Sequence, residues 1–335
     1  MTHELKNIVE TYQKAEKQGR KCVLATVVAL EGSSYRRPGV RMLIWEDGTM
    51  IGAVSGGCVE KEVYRQALSV FDKDMPKVMS YDGRYRLGCE GVLYILLEPF
   101  RPSKETVNAF WEAVEERIPY HVTSYYVKEF KKEEHFGSVL RFGRQDYPFR
   151  KSYTIPETSE YYEQKLHPCF QLILIGAEHD AVQTGTMASL LGWEVTVVVP
   201  PNEEKTKSDF PGIHKFLPLE AEQFTEKLDN QTAVLLMTHS YVKDLQFLKQ
   251  LKDSKPAYFG ILGPLRRREK LFNELFEHCP DISMEFIESI YGPAGLELGA
   301  ETPQEIALSV LSEIVAKVNK KSAVSLREKT GSIHA

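Results

Sequence analysis

Residues 171–181, Gln-Leu-Ile-Leu-Ile-Gly-Ala-Glu-His-Asp-Ala, decide the fold of the second half of the chain. A short, mostly apolar run ends at Gly176, and a helical pattern begins near residue 180. A buried strand that passes through a glycine turn into a helix is the first unit of a parallel α/β sheet. The sequence therefore predicts that a strand, a turn and a helix repeat from this point onward.

The same alternation continues toward the C-terminus. Apolar runs at 194–199, 233–237 and 257–262 alternate with helical stretches at 180–191, 241–251 and 264–277. Thr302-Pro303-Gln304-Glu305 is a capping box with proline at the first helical position, and it predicts a last helix over 306–318. We therefore predict a Rossmann-like, doubly wound parallel sheet domain over residues 169–320, followed by a flexible tail at 321–335.

The first half of the chain changes its hydrophobic period more often. Residues 5–18 have the apolar spacing of an amphipathic helix, and Asp47-Gly48 lies between two apolar runs as in a β-hairpin. Further strand-like and helix-like segments continue to residue 148, which predicts an α+β domain over 1–148. Residues 149–168 are polar, have prolines toward both ends and show no sustained period, so we predict a linker.

Composition and charge exclude several classes of function. The chain has 335 residues and a formal net charge of -5, so it lacks the basic field that nucleic-acid binding needs. No apolar run reaches the roughly 18 residues of a membrane span, and the polar start lacks the blocks of a signal peptide. Five cysteines without a Cys-x-x-Cys pair predict free thiols. We therefore expect a cytoplasmic protein that binds neither nucleic acid nor membrane.

Two glycine turns in the first domain predict an anion site. The loop 32–41 carries Arg36, Arg37 and Arg41, and the turn Ser55-Gly56-Gly57-Cys58 opens a helix. Backbone amides at a helix start bind anions, and nearby arginines add charge and forked donors. The two turns together suit a cofactor that carries a phosphate.

Two cysteines have both a chemical and a structural interpretation. Cys58 stands at a helix start, where a lowered thiol pKa would give thiolate character that is useful for a metal or for sulfur handling. Cys89 lies in a second glycine-flanked turn, Leu87-Gly88-Cys89-Glu90-Gly91. Either cysteine could instead be a small buried residue beneath a tight turn. Both interpretations stay open from the sequence.

The second domain carries weaker signals for a ligand. Gly176 is the first glycine of a dinucleotide-binding turn, but Glu178 replaces the second glycine, and no acid follows the strand 194–199 to hold a ribose. His179 and His239 follow the strands that flank the topological switch point, where open α/β sheets bind ligands. Each histidine could equally cap a helix or bond a backbone carbonyl.

These motifs resemble the XdhC/CoxI family along residues 20–318. The resemblance rests on Gly32-Ser-Ser-Tyr-Arg-Arg-Pro-Gly-Val-Arg41, Ile51-Gly-Ala-Val-Ser-Gly-Gly-Cys-Val-Glu60, Thr238-His239 and Gly292-Pro-Ala-Gly-Leu-Glu-Leu-Gly299. It implies a xanthine dehydrogenase accessory factor that binds molybdenum cofactor (molybdopterin) and protects the sulfurated form. The resemblance further implies delivery to a xanthine dehydrogenase-type apoenzyme, in work shared with a cysteine desulfurase.

The prediction is therefore a cofactor chaperone rather than a turnover enzyme, and a homodimer by default. Cys58 is the predicted contact for molybdenum or sulfur. The predicted cofactor-binding residues are Arg36, Arg37, Arg41, Ser55, Gly56, Gly57, Cys58, Cys89, Gly176, His179 and His239. One alternative is an NAD(P)-linked oxidoreductase that uses the Rossmann-like domain, and a second is a regulatory or scaffold protein without a cofactor.

Overall fold

The computed structural model describes residues 1–330, apart from 33, 35, 56, 58, 84–90, 130–132, 152 and 157–159. The chain divides into two compact units, Met1–Cys169 and Phe170–Ala335. Among the described residues, no helix combines the length and the hydrophobicity that a bilayer crossing requires.

The described part of the first unit contains three α-helices and two antiparallel sheets. The helices are α1 (Thr2–Lys17), α2 (Glu60–Lys73) and α3 (Lys104–Glu115). A five-stranded sheet of order β3-β2-β1-β5-β4 contains β1 (Cys22–Glu31), β2 (Arg41–Trp45), β3 (Met50–Gly52), β4 (Lys77–Asp82) and β5 (Val92–Pro99). A four-stranded sheet of order β8-β7-β6-β9 contains β6 (Tyr120–Tyr126), β7 (Gly137–Phe142), β8 (Gln145–Pro148) and β9 (Glu160–Leu166).

Strand β1 is apolar along nearly its whole length because both of its faces are buried. Val23, Ala25 and Val27 pack in one cluster with residues of α2. Cys22 and Leu24 point to the opposite face and pack with residues of α1, α3 and the four-stranded sheet. The alternation of side chains along a strand therefore divides this unit into layers on either side of the five-stranded sheet.

The predicted linker at 149–168 is wrong for its last part. Residues 160–166 form β9, which pairs antiparallel with β6 over seven residue pairs from Tyr126↔Glu160 to Tyr120↔Leu166. Of this strand, Gln164 and Leu166 alone are buried. A strand with so few inward apolar residues does not show the two-residue period, so the sequence pattern did not reveal it.

The second unit is a six-stranded parallel sheet with helices on both faces, which confirms the Rossmann-like prediction. Its strand order is β12-β11-β10-β13-β14-β15. The strands are β10 (Gln171–Ile175), β11 (Glu194–Val199), β12 (Lys215–Pro218), β13 (Thr232–Leu236), β14 (Tyr258–Ile261) and β15 (Ile290–Tyr291). The helices are α4 (His179–Leu190), α5 (Tyr241–Leu251), α6 (Leu265–His278), α7 (Met284–Ser289) and α8 (Pro303–Val318). The short edge strands β12 and β15 were not predicted.

Strand β13 shows why the sheet needs cover on both sides. Val234 and Leu236 pack against α5, α6 and α7, whereas Ala233 and Leu235 pack against α4 and α8. All four side chains are fully buried. Burial on two faces removes the polar alternation of a half-exposed strand, which is why these strands appear as continuous apolar runs.

The capping box at the start of α8 is confirmed. The Thr302 hydroxyl accepts a hydrogen bond from the Glu305 amide at 3.3 Å, and the Glu305 carboxylate accepts one from the Thr302 amide at 2.9 Å. The Thr302 and Glu301 amides lower the pKa of Glu305 because they stabilise its charged form. The flexible tail at 321–335 stays a prediction, since residues 326–328 form a short 3-10 turn and 331–335 lie outside the described residues.

Gly176 lets the turn after β10 approach the end of β13. Its φ is +141°, and a Cβ placed on it would lie 2.2 Å from the carbonyl oxygen of Met237. That separation is far below any van der Waals contact, so a side chain here would push the two strand ends apart. The glycine is therefore required by the sheet itself, whether or not a ligand binds beside it.

We expect Gly176→Ala to lower the free energy of unfolding of the second unit by about 3 kcal/mol, because the clash is with backbone. Gly299→Ala is the matched control, since Gly299 also has a positive φ, +67°, but nothing lies within 4 Å of an added Cβ. The control should cost about 1 kcal/mol. Urea unfolding, read by hydrogen exchange of peptides from the second unit, measures both losses. Equal losses would contradict the close approach.

Candidate functional site

Hydrogen bonds from nearby side chains hold the turn that precedes α2. The carboxylate of Glu60 accepts hydrogen bonds from the Ser55 amide at 2.8 Å and from the Ser55 hydroxyl at 2.8 Å. The Ser55 hydroxyl oxygen lies 3.2 Å from the Gly57 amide and 3.3 Å from the Val59 amide, and accepts from both. Two backbone amides that the sequence predicted to be available to an anion therefore already donate hydrogen bonds to Ser55.

Gly57 nevertheless leaves the turn open on one side. Its φ is +115°, and no atom lies within 4 Å of a Cβ built on it. Bare backbone that borders open space permits a bulky group to come close. Gly56 and Cys58, the neighbours on which the predicted cofactor contact depends, lie outside the described residues, and so does Cys89.

The three arginines of the loop 32–41 have different environments. Arg37 is exposed and Arg36 is half-buried, whereas Arg41 is buried. The Arg41 guanidinium donates from Nη1 to the Gly39 carbonyl at 2.9 Å and to Oε1 of Gln164 at 2.6 Å. Burial lowers the pKa of Arg41. The structure therefore separates Arg41, which is held in the interior against β9, from the two arginines nearer the surface.

The ends of β10 and β13 bring His239 to Asp180. Nε2 of His239 lies 3.5 Å from Oδ2 of Asp180, near the start of α4. His239 has a left-handed backbone, with φ +53°, which is uncommon for a residue with a Cβ. His179 is exposed at the first position of α4. The imidazole of His239 is thus aimed across the switch point at a carboxylate, a pairing that the sequence did not predict.

The crevice beside Gly176 is small and acidic. It has a volume of about 70 Å³, and its walls include three carboxylates, Glu178, Glu203 and Glu220, against one cation, Lys243. A dinucleotide places its pyrophosphate at this position in ordinary Rossmann folds. Carboxylates so close to a pyrophosphate would repel it. The replacement of the second glycine by Glu178 therefore agrees with the charge of the crevice.

A second cavity, of about 180 Å³, lies at the carboxyl ends of β13 and β14. Its wall holds Asp244, which is 1% exposed and accepts hydrogen bonds from the Thr238 hydroxyl at 2.5 Å and from Nη2 of Arg267 at 2.8 Å. A Cβ on Gly263 would lie 2.9 Å from Cδ of Arg267, so the glycine lets the arginine reach the acid. Thr238, Asp244 and Arg267 were not among the predicted site residues. The sequence signal that could have identified them is the Gly260-x-x-Gly263 spacing, which is followed by a run of arginines.

Metal ligands do not gather in the part of the chain that the structure describes. No group of three or more histidine, cysteine, aspartate or glutamate side chains there could hold a metal ion. Cys22, Cys169 and Cys279 form no disulfide in the described part of the chain, and burial raises the pKa of Cys22 to about 12. The described thiols are therefore not arranged as a multidentate metal site.

Comparisons with known proteins match both units. A family model described as "XdhC and CoxI family" matches residues 15–82, and one described as "XdhC Rossmann domain" matches residues 172–314. The chain is 29% identical to a probable xanthine dehydrogenase subunit of Bacillus subtilis (strain 168), over 90% of this chain and 94% of that protein. It is 25% identical to the "Molybdenum cofactor insertion chaperone PaoD" of Escherichia coli (strain K12), over 94% and 89% of the two chains.

A solved structure has the same fold. The crystal structure of a xanthine dehydrogenase from Bacillus halodurans matches with a TM-score of 0.75 and 24% sequence identity. The match covers 95% of this chain and 97% of that one. Agreement over nearly the full length supports the element order in each of the two units.

We expect Arg41→Ala to lower the free energy of unfolding by about 3 kcal/mol, because it removes two buried hydrogen bonds and leaves Gln164 unsatisfied. Arg37→Ala is the control in the same loop, and a change at this exposed position should stay within about 0.5 kcal/mol. Urea denaturation of the two variants and the wild-type protein gives the comparison. If the Arg41 variant were as stable as the wild type, the buried role of Arg41 would be wrong.

Proposed function

Since this chain belongs to the XdhC and CoxI family, we propose that it binds molybdenum cofactor, protects the sulfurated form and delivers it to a xanthine dehydrogenase-type molybdoenzyme. The observation that carries the proposal is the match of both family models, in order, one in each unit. The similarity to a molybdenum cofactor insertion chaperone over 94% of the chain supports it. The proposed role is that of a carrier rather than a turnover enzyme.

The proposed seat of the cofactor is the turn at residues 55–58 with the loop that carries Arg36 and Arg37. The bare backbone of Gly57 borders open space, which fits a bulky pterin. The exposed Arg37 can supply a forked donor to its phosphate. The cofactor itself brings the metal and the sulfur that the client needs. Cys58, two residues before α2, is proposed to hold the cofactor through its thiolate.

Ser55 and Glu60 are proposed to position this turn rather than to contact the cofactor. Glu60 is 8% exposed and bonds both the amide and the hydroxyl of Ser55. Ser55 in turn accepts from the amides of Gly57 and Val59. A turn fixed on both sides in this way holds its backbone for a ligand without a cost in ordering it on binding.

We also propose partners, an oligomeric state and a cellular location for this chain. The chain is proposed to receive sulfur with the help of a cysteine desulfurase and to hand the loaded cofactor to an apoenzyme. It is proposed to act as a homodimer, the commonest arrangement of oligomers, and to work in the cytoplasm, where unpaired thiols remain reduced. The acidic crevice beside Gly176 weighs against an NAD(P)-linked oxidoreductase.

We expect the purified full chain to bind molybdenum cofactor stoichiometrically under anaerobic conditions, and Cys58→Ala to weaken this binding by at least about tenfold. The reason is the loss of a soft thiolate ligand. Gel filtration followed by quantification of molybdenum and pterin measures the bound fraction. Cys279→Ala removes a partly buried thiol of the second unit and is the matched control.

Two outcomes would overturn the proposal. If well-folded wild-type protein bound no cofactor, a scaffold without a cofactor would be the better account. If Cys58→Ala and Cys279→Ala bound equally well, the proposed seat would be wrong. Circular dichroism of each variant separates loss of binding from loss of fold.

A further inference from the structure

A wide cavity of about 410 Å³ lies in the first unit, at the C-terminal end of α2. Four cationic side chains line it, Lys73, Arg101, Arg150 and Lys151, against two carboxylates, Asp74 and Glu134. The whole chain has a formal net charge of -5, so this excess of positive charge is local. Among the residues that the structure describes, none of the predicted cofactor-binding residues lines this cavity.

Backbone carbonyl groups and an aromatic ring, rather than a carboxylate, surround the guanidinium of Arg150. Its Nη2 donates to the carbonyl oxygen of Glu134 at 2.6 Å, and its guanidinium lies 5.4 Å from the ring centroid of Tyr153. The Tyr153 hydroxyl donates to the carbonyl oxygen of His135 at 3.0 Å, which fixes the same segment. Among the described residues, no carboxylate lies within ion-pair distance of Arg150. Carbonyl groups orient the guanidinium but leave its charge available.

The carboxyl group that Arg150 does influence is buried behind the wall. Glu98 is fully buried, and it accepts hydrogen bonds from the Ser138 amide at 2.9 Å and hydroxyl at 2.6 Å. Burial raises the pKa of Glu98, and the charge of Arg150 opposes that rise. A carboxyl group sealed beneath the surface does not occupy the cavity. Glu98 is accordingly not among the residues that line the cavity.

The other three cations complete the positive wall. Arg101 forms an ion pair with Asp74, and its amide donates to the carbonyl oxygen of Phe149 at 2.9 Å. Lys73 and Lys151 are exposed, and neither has an ion-pair partner in the described part of the chain. One fixed arginine, one paired arginine and two exposed lysines are a suitable set for a ligand with several negative oxygens.

We propose that this cavity binds a small molecule that carries two adjacent phosphate groups. Its volume falls within the range of about 300–1,000 Å³ that is usual for small-molecule sites. The guanidinium of Arg150 suits a phosphate fork, and the lysines supply charge for a second group. The site is distinct from the turn at residues 55–58, because the fourteen residues of α2 separate the two by about 20 Å.

Titration calorimetry of the full chain with inorganic pyrophosphate at low ionic strength tests this site. We expect saturable binding with Kd below about 1 mM. The double variant Lys73→Glu/Lys151→Glu should weaken it at least about tenfold, because two attractive charges become repulsive. Lys14→Glu/Lys17→Glu changes the net charge equally on the exposed end of α1 and should stay within about twofold of wild type.

Two single variants distinguish pyrophosphate binding in this cavity from the proposed binding of molybdenum cofactor. Arg37→Ala should leave pyrophosphate binding unchanged, because Arg37 is not among the residues that line the cavity. Cys58→Ala should leave it unchanged as well, because Cys58 precedes α2 in the chain and the cavity lies at the C-terminal end of that helix. Absence of pyrophosphate binding by the wild-type protein would overturn the inference, as would equal weakening by the two double variants. If Arg37→Ala abolished binding while the Lys73→Glu/Lys151→Glu variant retained it, the anion would bind at the arginine loop and the inference would be wrong.

Discussion

The second unit depends on how closely the ends of β10 and β13 approach each other. Five residue pairs join these strands in parallel, and Gly176 then passes the carbonyl of Met237 where no side chain fits. That approach brings Asp180, at the start of α4, to His239, which follows β13. The polar groups at this edge of the sheet therefore take their positions from a backbone contact and not from one another.

The glycine turns before α2 and α4 do not offer unoccupied backbone amides to an anion in the way that their sequences suggest. Before α2, the Ser55 hydroxyl oxygen accepts hydrogen bonds from the amides of Gly57 and Val59, and the hydroxyl donates to the carboxylate of Glu60. At the start of α4, Glu178 places a carboxylate where a bare amide edge would attract phosphate. Positive charge is found instead in the basic cavity at the end of α2. Glycine spacing alone thus does not show that backbone amides are available to an anion.

The sequence was sufficient where structure follows from local pattern. The strand and helix alternation after residue 171 predicted the parallel sheet, and the Thr302 capping box predicted the start of α8. Contacts between distant segments could not be predicted in this way. Arg41 was assigned to an anion site by its loop, but its bond to Gln164 spans 123 positions of the chain. Short or polar strands such as β9 were not predicted, because they bury too few side chains to show the two-residue hydrophobic period of a strand.

The placement of β9 has a consequence for how the first unit is made. This strand comes last in the unit, yet it supplies the Gln164 acceptor for Arg41 and covers one edge of β6. Until residues 160–166 have been synthesised, Arg41 therefore lacks its Gln164 acceptor and one edge of β6 has no partner strand. A fragment that stops at residue 148 would lack both contacts. The natural unit for expression on its own extends to Cys169, where the compact first unit ends.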